Sequence, residues 1–201
     1  TSLDVTNNIA LVFLELINNQ LTSLDVTNNT ALIYLDCGYN QLTSLNLSGA
    51  NALTNLFCIN NQLTSLDITN NTALSWLECK SNQLTSLDVT NNTELIDLYC
   101  FNNQLITLDV RNGNNGNIDN FSSYNNPNLT CIFVDNPDYS SNNWFDIDPA
   151  STFVENEAEC EVLSIGNNTL ELDVFIYPNP TDNYLFIEGN KNPVSISIYN
   201  L

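Results

Sequence analysis

The chain has 201 residues, of which 43% are apolar, and its 23 acidic against 3 basic residues give a formal net charge of −20. Such a chain has no basic surface for phosphate groups, so nucleic acid and anionic lipid are excluded as partners. It contains no run of about 18 apolar residues, so we predict no membrane insertion.

The chain opens inside a repeat. Thr1 to Val5 aligns with Thr22 to Val26, and neither an initiator methionine nor a charged-then-apolar leader comes before this pattern. We therefore expect a fragment that begins in mid-coil, with its leader and first coils missing.

A regular period runs through most of the chain. Leucine recurs at Leu21, Leu42, Leu63, Leu84 and Leu105, always 21 residues apart. Each period has two halves, the first reading LxxLxCxxNxL and the second reading LxxLDV. Internal repetition at this period predicts a solenoid, in which each coil packs only on its neighbours.

The first half of the period matches the leucine-rich-repeat pattern, with a short strand and an asparagine at the turn. Over residues 1–135 the whole unit resembles a bacterial 21-residue leucine-rich repeat, in which a second leucine-bearing segment replaces the helix. The resemblance implies a β-rich, right-handed solenoid of about six coils with two short strand-like segments per coil and little helix.

The repeat is interrupted after Val110. A Gly/Asn-rich loop at 111–117 delays the next coil by two residues, and we expect this loop to bulge from the coil edge. The last apolar half-turn ends at Val134, and the polar stretch after it contains Trp144, Phe145 and Phe153. Because an open solenoid end exposes core and strand edge, we predict an irregular cap and linker at 136–170 after the solenoid at 1–135.

The tail at 171–201 loses the period and alternates as strands do. Its run from Val174 to Pro180, which contains Tyr-Pro-Asn-Pro, resembles the start of the C-terminal sorting domain of the type IX secretion system of Bacteroidota. The later strands of that domain are absent, so we expect an incomplete, partly all-β sorting domain. The resemblance implies that the secretion machinery exports the protein to the outer surface of a Gram-negative bacterium, for attachment or release.

Four cysteines follow the period. Cys37, Cys58, Cys79 and Cys100 occupy one inward position in successive coils, about 4.8 Å apart if the strands are parallel. Bridging is feasible at that spacing, but Leu16 holds the same position in another coil. We favour buried free thiols that act as small apolar side chains, with occasional bridging as the alternative. A single file of thiols, without histidine, favours no metal site.

The remaining two cysteines, Cys131 and Cys160, lie near the cap. An exported protein meets oxidising conditions, which favours a disulfide between them. That bond would close 29 residues and contribute about 3 kcal/mol in the chain-entropy model.

The turns carry a row of asparagines. Their side-chain amides can donate and accept, so we predict that they satisfy backbone groups of the turn and of the next coil. The members are Asn19, Asn40, Asn61, Asn82 and Asn103.

The outward positions of the first half-turn vary from coil to coil, and aromatic and acidic residues dominate them. Strand alternation identifies them once the inward leucines are known. They are Phe13, Glu15, Tyr34, Asp36, Phe57, Trp76, Glu78, Asp97, Tyr99 and Phe101. Aromatic rings beside carboxylates suit a glycan or a protein partner with basic residues. The alternative is that these large side chains stack on one another and cover the backbone.

The outward positions of the second half-turn repeat Ser-x-Asp-x-Thr with little variation. Asp67, Asp88 and Asp109 would lie about 4.8 Å apart and repel one another unless polar groups or a cation compensate them. We favour hydroxyl and amide partners, since calcium needs six to eight oxygens. Cation binding and ice binding are weaker hypotheses for this face.

The sequence predicts neither an enzyme nor a cofactor. It lacks histidine, a Gly-x-Ser-x-Gly element and a phosphate-binding glycine loop. Carboxylates on a flat surface also lack the burial that raises the pKa of a catalytic acid. We therefore predict a secreted or cell-surface module that recognises a protein or a glycan through its variable strand face. The alternative is a passive spacer in a larger surface protein.

Overall fold

A computed structural model describes residues 2–166, 175–177 and 186–188. The chain divides into two compact units, Thr1–Cys160 and Glu161–Leu201. Within the described residues, no helix has both the length and the apolar character needed to cross a membrane.

Twelve three-residue strands build the first unit. In chain order they are β1 (Phe13–Glu15), β2 (Ser23–Asp25), β3 (Tyr34–Asp36), β4 (Ser44–Asn46), β5 (Asn55–Phe57), β6 (Trp76–Glu78), β7 (Ser86–Asp88), β8 (Asp97–Tyr99), β9 (Thr107–Asp109), β10 (Asn120–Ser122), β11 (Cys131–Phe133) and β12 (Thr152–Val154).

One continuous parallel sheet carries the first half-turns. Its six strands follow the order β1-β3-β5-β6-β8-β10. The central leucines pair in register, as Leu35 does with Leu56, and both are fully buried. Because side chains alternate along a strand, the residues on either side of each leucine face outward. The leucine-rich-repeat solenoid that the sequence predicts is confirmed.

The second half-turns form a less regular face. β2 pairs with β4, while β7, β9, β11 and β12 form a separate four-stranded sheet. Residues 65–67 are not a strand, so not every coil has the two strand-like segments expected. Asp88 still faces Asp109 in register, but Asp67 lies outside both sheets. The expected continuous row of three aspartates is therefore interrupted.

Each coil turns at one residue in the left-handed backbone region. These residues have φ between 50° and 58°, and they are Asn18, Tyr39, Asn60, Ser81, Asn102 and Asn125. Asparagine tolerates this conformation better than most side chains, which explains its frequency here. The next residue is always an asparagine: a member of the asparagine row in five coils and Asn126 in the sixth, so turn geometry and side-chain capping act together.

The asparagine row satisfies backbone groups as predicted. Asn82 accepts a hydrogen bond from the Leu63 N–H (3.1 Å) and donates to the carbonyls of Cys58 (2.9 Å) and Cys79 (3.0 Å). One amide side chain therefore joins two successive coils.

Two buried asparagines anchor the loop at 111–117, while Gly113, Gly116 and Asn117 are exposed. The loop contains a short 3-10 helix, Asn115–Asn117, and Asn115 and Asn112 are buried. Asn115 donates to the Val110 carbonyl (2.6 Å), and Asn112 donates to the Asn92 carbonyl (3.0 Å). These hydrogen bonds hold the two additional residues within the coil.

The cap is more regular than expected. It contains α1 (Pro137–Asn143) and α2 (Glu157–Gly166), with β12 between them. The Asn136 side chain accepts a hydrogen bond from the Tyr139 N–H (3.0 Å), and Pro137 stands in the first turn, so α1 has a standard N-cap. Aromatic side chains pack the cap against the solenoid: the buried Trp144 ring stacks on the ring of Phe121 in β10, with 4.4 Å between ring centroids.

The predicted disulfide is confirmed. Cys131 in β11 is bonded to Cys160 in α2, across a sequence separation of 29. It ties the second helix of the cap to the last strand of the solenoid.

In the second unit, β13 (Phe175–Tyr177) pairs antiparallel with β14 (Phe186–Glu188). The rest of the predicted sorting domain at 171–201 lies outside the described residues.

Candidate functional site

The variable outward surface of the six-stranded sheet is the candidate site, and we call it the strand face. The structure brings together on this face all ten residues predicted from the sequence, as the first or third residues of their strands or, for Phe101, just beyond β8. The buried leucines of each strand hold these side chains outward.

Four rings of the strand face touch in sequence, and we call them the aromatic row. Phe13 and Tyr34 are register partners, and their rings stack with centroids 4.2 Å apart and planes 7° apart. Tyr34 contacts Phe57 at 5.4 Å, and Phe57 contacts Trp76 at 5.7 Å, both in tilted geometry. Stacked and tilted pairs at these distances stabilise one another beyond simple burial.

Lys80 links the aromatic row to a second aromatic group. Its ammonium nitrogen lies 2.7 Å from Glu78 and 5.6 Å and 5.3 Å from the ring centroids of Tyr99 and Phe101. Glu78 also accepts a hydrogen bond from the Trp76 indole N–H (3.1 Å). The indole of Trp76 is thus oriented by a carboxylate whose charge is already paired.

Tyr124 extends the second aromatic group and was not predicted. Its ring stacks on Phe101 at 4.5 Å with planes 12° apart. The two-residue delay after the 111–117 loop moves Tyr124 out of the 21-residue alignment. An alignment that shifted this coil by two residues would have found it.

The carboxylates of the strand face differ in their surroundings. Glu15 is exposed, and Asp36 accepts a hydrogen bond from the Gly38 N–H (2.9 Å). Asp97 was expected to face solvent but is only 9% exposed, because it lies in register between Trp76 and Asn120. The Asn120 side chain donates to it (2.6 Å).

Burial and neighbouring charges raise the pKa of Tyr34. Partial burial is the larger cause, and the charges of Asp36, Glu15 and Glu78 add to it. A phenolate is disfavoured beside carboxylates, so this pKa indicates a negative potential around the aromatic row.

Exposure is uneven along the aromatic row. Phe13 is 55% exposed and Trp76 is 36% exposed, whereas Tyr34 and Phe57 are half-buried by their neighbours. The strand face is therefore an apolar surface on which the rings partly cover one another. A recognition surface and a set of rings that only shield the backbone both have this property.

On the opposite face the aspartates accept hydrogen bonds from nearby backbone. The N–H groups of Thr69, Thr90 and Arg111 donate to Asp67 (3.0 Å), Asp88 (2.8 Å) and Asp109 (3.1 Å), respectively. Arg111 also forms an ion pair with Asp109 (2.6 Å). Among the described residues, no group of three or more cysteine or carboxylate side chains is arranged to hold a metal ion.

The four periodic cysteines are free and buried, in adjacent coils. Burial is the main reason that the pKa values of Cys37, Cys58 and Cys79 lie well above the usual range, and it raises the pKa of Cys100 to about 12. Thiols of this kind are unreactive and pack as small apolar groups.

Two concave regions of the first unit lie beside the 111–117 loop and in the cap. A cavity of about 310 Å³ beside the 111–117 loop is lined by Glu94, Ile96, Asn114, Gly116, Asn117 and Asp119. Another of about 290 Å³ lies in the cap beside Trp144, Phe145 and Phe153. Neither of these two cavities is lined by a ring of the aromatic row.

No protein-family model matches this chain, and no curated protein matches it. Several solved structures match it. The functional domain of InlJ from Listeria monocytogenes, which is described as including a cysteine ladder, is 34% identical with a TM-score of 0.58. The match covers 66% of this chain and 31% of that structure.

Two further bacterial structures are similar at lower identity. An internalin, InlF, from L. monocytogenes is 24% identical over 65% of this chain and 36% of its own, with a TM-score of 0.46. A leucine-rich-repeat protein from Leptospira interrogans is 20% identical over 60% and 43%, with a TM-score of 0.43. Its own repeat, its parallel sheet and its likeness to the InlJ domain show that the chain has the leucine-rich-repeat solenoid fold.

Proposed function

We propose that the protein is a secreted or cell-surface binding module that recognises a protein or a glycan through the strand face. The observation that carries this proposal is the aromatic row, four rings in mutual contact that reach from β1 to β6 on the outside of a fully packed sheet. Exposed aromatic groups of this extent mark interaction surfaces on soluble proteins.

The contrast between the two faces supports the proposal. Each face rests on its own row of inward-facing leucines, with Leu56 and Leu77 under the strand face and Leu87 and Leu108 under the opposite face. One face nonetheless repeats Ser-x-Asp-x-Thr, whereas the other changes its residues in every coil. Packing alone gives no reason for this difference, but recognition by one face does.

The location rests on independent features. The Cys131–Cys160 disulfide suits an oxidising compartment. The segment at 171–201 resembles a type IX sorting domain, so we propose export through that machinery to the outer surface of a Gram-negative bacterium. Deleting 171–201 in a Bacteroidota host should leave the protein inside the cell, and unchanged surface display of the truncated protein would contradict this route.

The recognition proposal is tested by removing rings. The double variant Trp76→Ala/Tyr99→Ala should lose binding on glycan and surface-protein arrays to any partner that the wild type retains. Phe145→Ala is the matched control, because Phe145 is 77% exposed and lies in the cap, beyond the β10 edge of the sheet and outside the aromatic row. Absence of any partner for the wild type, or equal binding by the double variant, contradicts the proposal.

A passive spacer is the second candidate. The stacking of Phe13 on Tyr34 favours it, because rings that cover each other also shield the sheet. A spacer predicts that the ring variants lose thermal stability but no partner, so binding and melting measured on the same samples separate the two functions.

Cation or ice binding by the opposite face is a weaker candidate. Asp67, Asp88 and Asp109 supply its carboxylates, although Arg111 already pairs with Asp109. A melting midpoint that rises with calcium, or ice recrystallisation that slows with the protein, would support it; no change in either measurement removes it.

A further inference from the structure

We infer that α2 is a redox-dependent element: the Cys131–Cys160 disulfide holds its first turn on the solenoid, and reduction of that bond releases the turn while the solenoid stays folded. The inference goes beyond the proposed function, because recognition by the strand face does not require α2. It concerns the segment through which the chain leaves the solenoid.

The described side chains of α2 are poorly buried. Residues 157–163 are all exposed except Cys160, which is partly buried. Val162 is 67% exposed and Leu163 is 41% exposed, so neither belongs to the hydrophobic core. Burial of apolar surface therefore contributes little to holding this helix in place.

The covalent anchor joins an exposed helix to a buried strand. Cys131 lies in β11 and is only 4% exposed, whereas Cys160 lies at the end of the first turn of α2. The bond therefore fixes the first turn of the helix to the last coil of the solenoid.

Arg111 makes a second contact with the same turn. Its guanidinium donates to the Glu155 carbonyl (3.2 Å) and lies 3.1 Å from the Glu157 carboxylate. The same guanidinium pairs with Asp109 (2.6 Å) and lies over the Phe133 ring, so the solenoid alone keeps it in position. Release of α2 therefore breaks the contact with Glu157 but leaves Arg111 where it is.

The disulfide is the stronger of these two anchors. The Glu157 side chain is 70% exposed, and an ion pair so accessible to water contributes little to stability. The Asn156 and Glu159 side chains close the first turn locally, but a helix of ten residues without packing is marginal in water. Once the covalent bond is gone, these contacts do not offset the entropy cost of ordering the segment.

The rest of the cap has contacts of its own. The Thr152 N–H donates to the Thr130 carbonyl (2.9 Å), which keeps β12 paired with β11. The Trp144 ring stacks on Phe121 and is buried. None of these contacts involves α2, so its release should be local.

The release step is thiol–disulfide exchange with a dithiol reductant. Cys160 is the more exposed partner, so a thiolate of the reductant attacks the Cys160 sulfur, the sulfur–sulfur bond breaks, and Cys131 leaves as a thiolate that takes up a proton. The second thiol of the reductant then displaces the Cys160 sulfur and closes a disulfide within the reductant. The protein gains two electrons and two protons, and both cysteines become thiols.

This chemistry makes the state of α2 depend on the compartment. A chain synthesised in a reducing cytoplasm has no anchor at Cys160, and the anchor forms where conditions are oxidising. The segment that follows the solenoid is therefore held only after export.

The experiment digests the folded full-length chain with a glutamyl endopeptidase, with and without a dithiol reductant, and locates the cuts by mass spectrometry. We expect reduction to speed cleavage after Glu155, Glu157 and Glu159 about tenfold or more, because a protease cuts the released segment. Glu94 is the internal control, because it is exposed on a turn within the solenoid and its cleavage rate should not change.

Alkylation of the reduced, folded protein reports on the solenoid separately. Cys131 and Cys160 should be labelled, whereas the four periodic cysteines should stay unlabelled because the coils remain packed. This pattern distinguishes local release of α2 from general unfolding.

Variants separate the two anchors. Cys131→Ala/Cys160→Ala should be cleaved in α2 as fast as the reduced wild type, and reductant should not change its rate. Arg111→Gln keeps the disulfide, so without reductant its cleavage in α2 should rise by less than about twofold.

Two results overturn the inference. Equal cleavage of α2 with and without reductant means that the helix holds itself on the solenoid. Labelling of the periodic cysteines after reduction means that the bond holds the whole solenoid together. Neither result bears on recognition by the strand face, which the ring variants test.

Discussion

The side-chain oxygen of Asn61 accepts a hydrogen bond from the backbone N–H of Leu42, 2.9 Å away in the preceding coil. The Asn61 amide nitrogen donates to the carbonyls of Cys37 (3.0 Å) and Cys58 (3.2 Å). All these groups are buried, so no water can replace a lost partner at small cost.

Removing this side chain should destabilise the solenoid strongly. We expect Asn61→Ala to lower the free energy of unfolding by about 2 to 4 kcal/mol, because it leaves the buried Leu42 N–H without its acceptor and removes one of two amide donors from each of two buried carbonyls. The control is Asn19→Ala, because Asn19 is exposed and donates only within its own coil. Denaturant unfolding measures the free energy of unfolding of both variants. Similar losses for the two would contradict the idea that the buried asparagine side chains connect neighbouring coils.

The periodic cysteines should resist thiol reagents in the native state. Only thiolates react, and burial keeps the pKa of each of these thiols above its usual range. At pH 8 we expect almost no labelling of the folded protein and four labelled thiols per chain after unfolding. Mass spectrometry counts the labels, and rapid native labelling would mean that the thiols are accessible.

The same thiols should make stability fall in alkaline solution. A folded pKa raised above the unfolded value of about 8.5 stabilises the native state fully below that pH, and the stabilisation is lost as pH rises. Each thiol then removes up to about 1.4 kcal/mol per pH unit.

A variant isolates the contribution of one thiol to that slope. Cys79→Ala should reduce the loss of unfolding free energy between about pH 9 and pH 10 by about 1 kcal/mol, because one ionisation is gone. Lysine and tyrosine titrations are common to both proteins and cancel in the comparison. An identical slope for the two proteins would contradict the raised pKa.

Loss of the cap disulfide should be costly. A loop of 29 residues gives about 3 kcal/mol in the chain-entropy model, so Cys131→Ala/Cys160→Ala should lower the melting midpoint by several degrees. Reductant should lower the midpoint of the wild type similarly and leave that of the double variant unchanged. An equal melting midpoint for the double variant and the wild type would mean that the cap stays folded without the disulfide.

Gly49 permits close contact between two coils. A Cβ there would lie 1.8 Å from the Thr27 carbonyl oxygen, so Gly49→Ala forces the backbone apart and should cost about 1 to 3 kcal/mol. Gly116→Ala is the control, because a Cβ at Gly116 meets no atom within 4 Å. Equal unfolding midpoints for these two variants would contradict the close approach.

The periodic part of the fold could be predicted, because each inward position repeats the same physical demand. Leucine, cysteine and asparagine return where neighbouring coils bury them, so one coil predicts the next. The pairing of Cys131 with Cys160 could be predicted because both cysteines lie outside the repeat, near the cap, and because an exported protein meets oxidising conditions. The α1 helix was missed because its polar sequence has no apolar periodicity, although Asn136 and Pro137 are a helix-start signal.

The candidate site was less predictable, since it depends on neighbours across coils. Asp97 was expected to face solvent, but Trp76 and Asn120 on either side of it make it nearly buried. Tyr124 fell outside the alignment because of two extra residues in an earlier loop. Neither effect is visible within a single coil.

The uniform coil length also determines how the protein can change in size. Register partners such as Phe13 and Tyr34 are separated by one whole repeat, so gain or loss of a complete repeat preserves every strand pair and every inward contact. A shorter insertion is accommodated only where a turn absorbs it, as at 111–117. Duplication of a coil within the gene would therefore lengthen the recognition surface without redesign of the core.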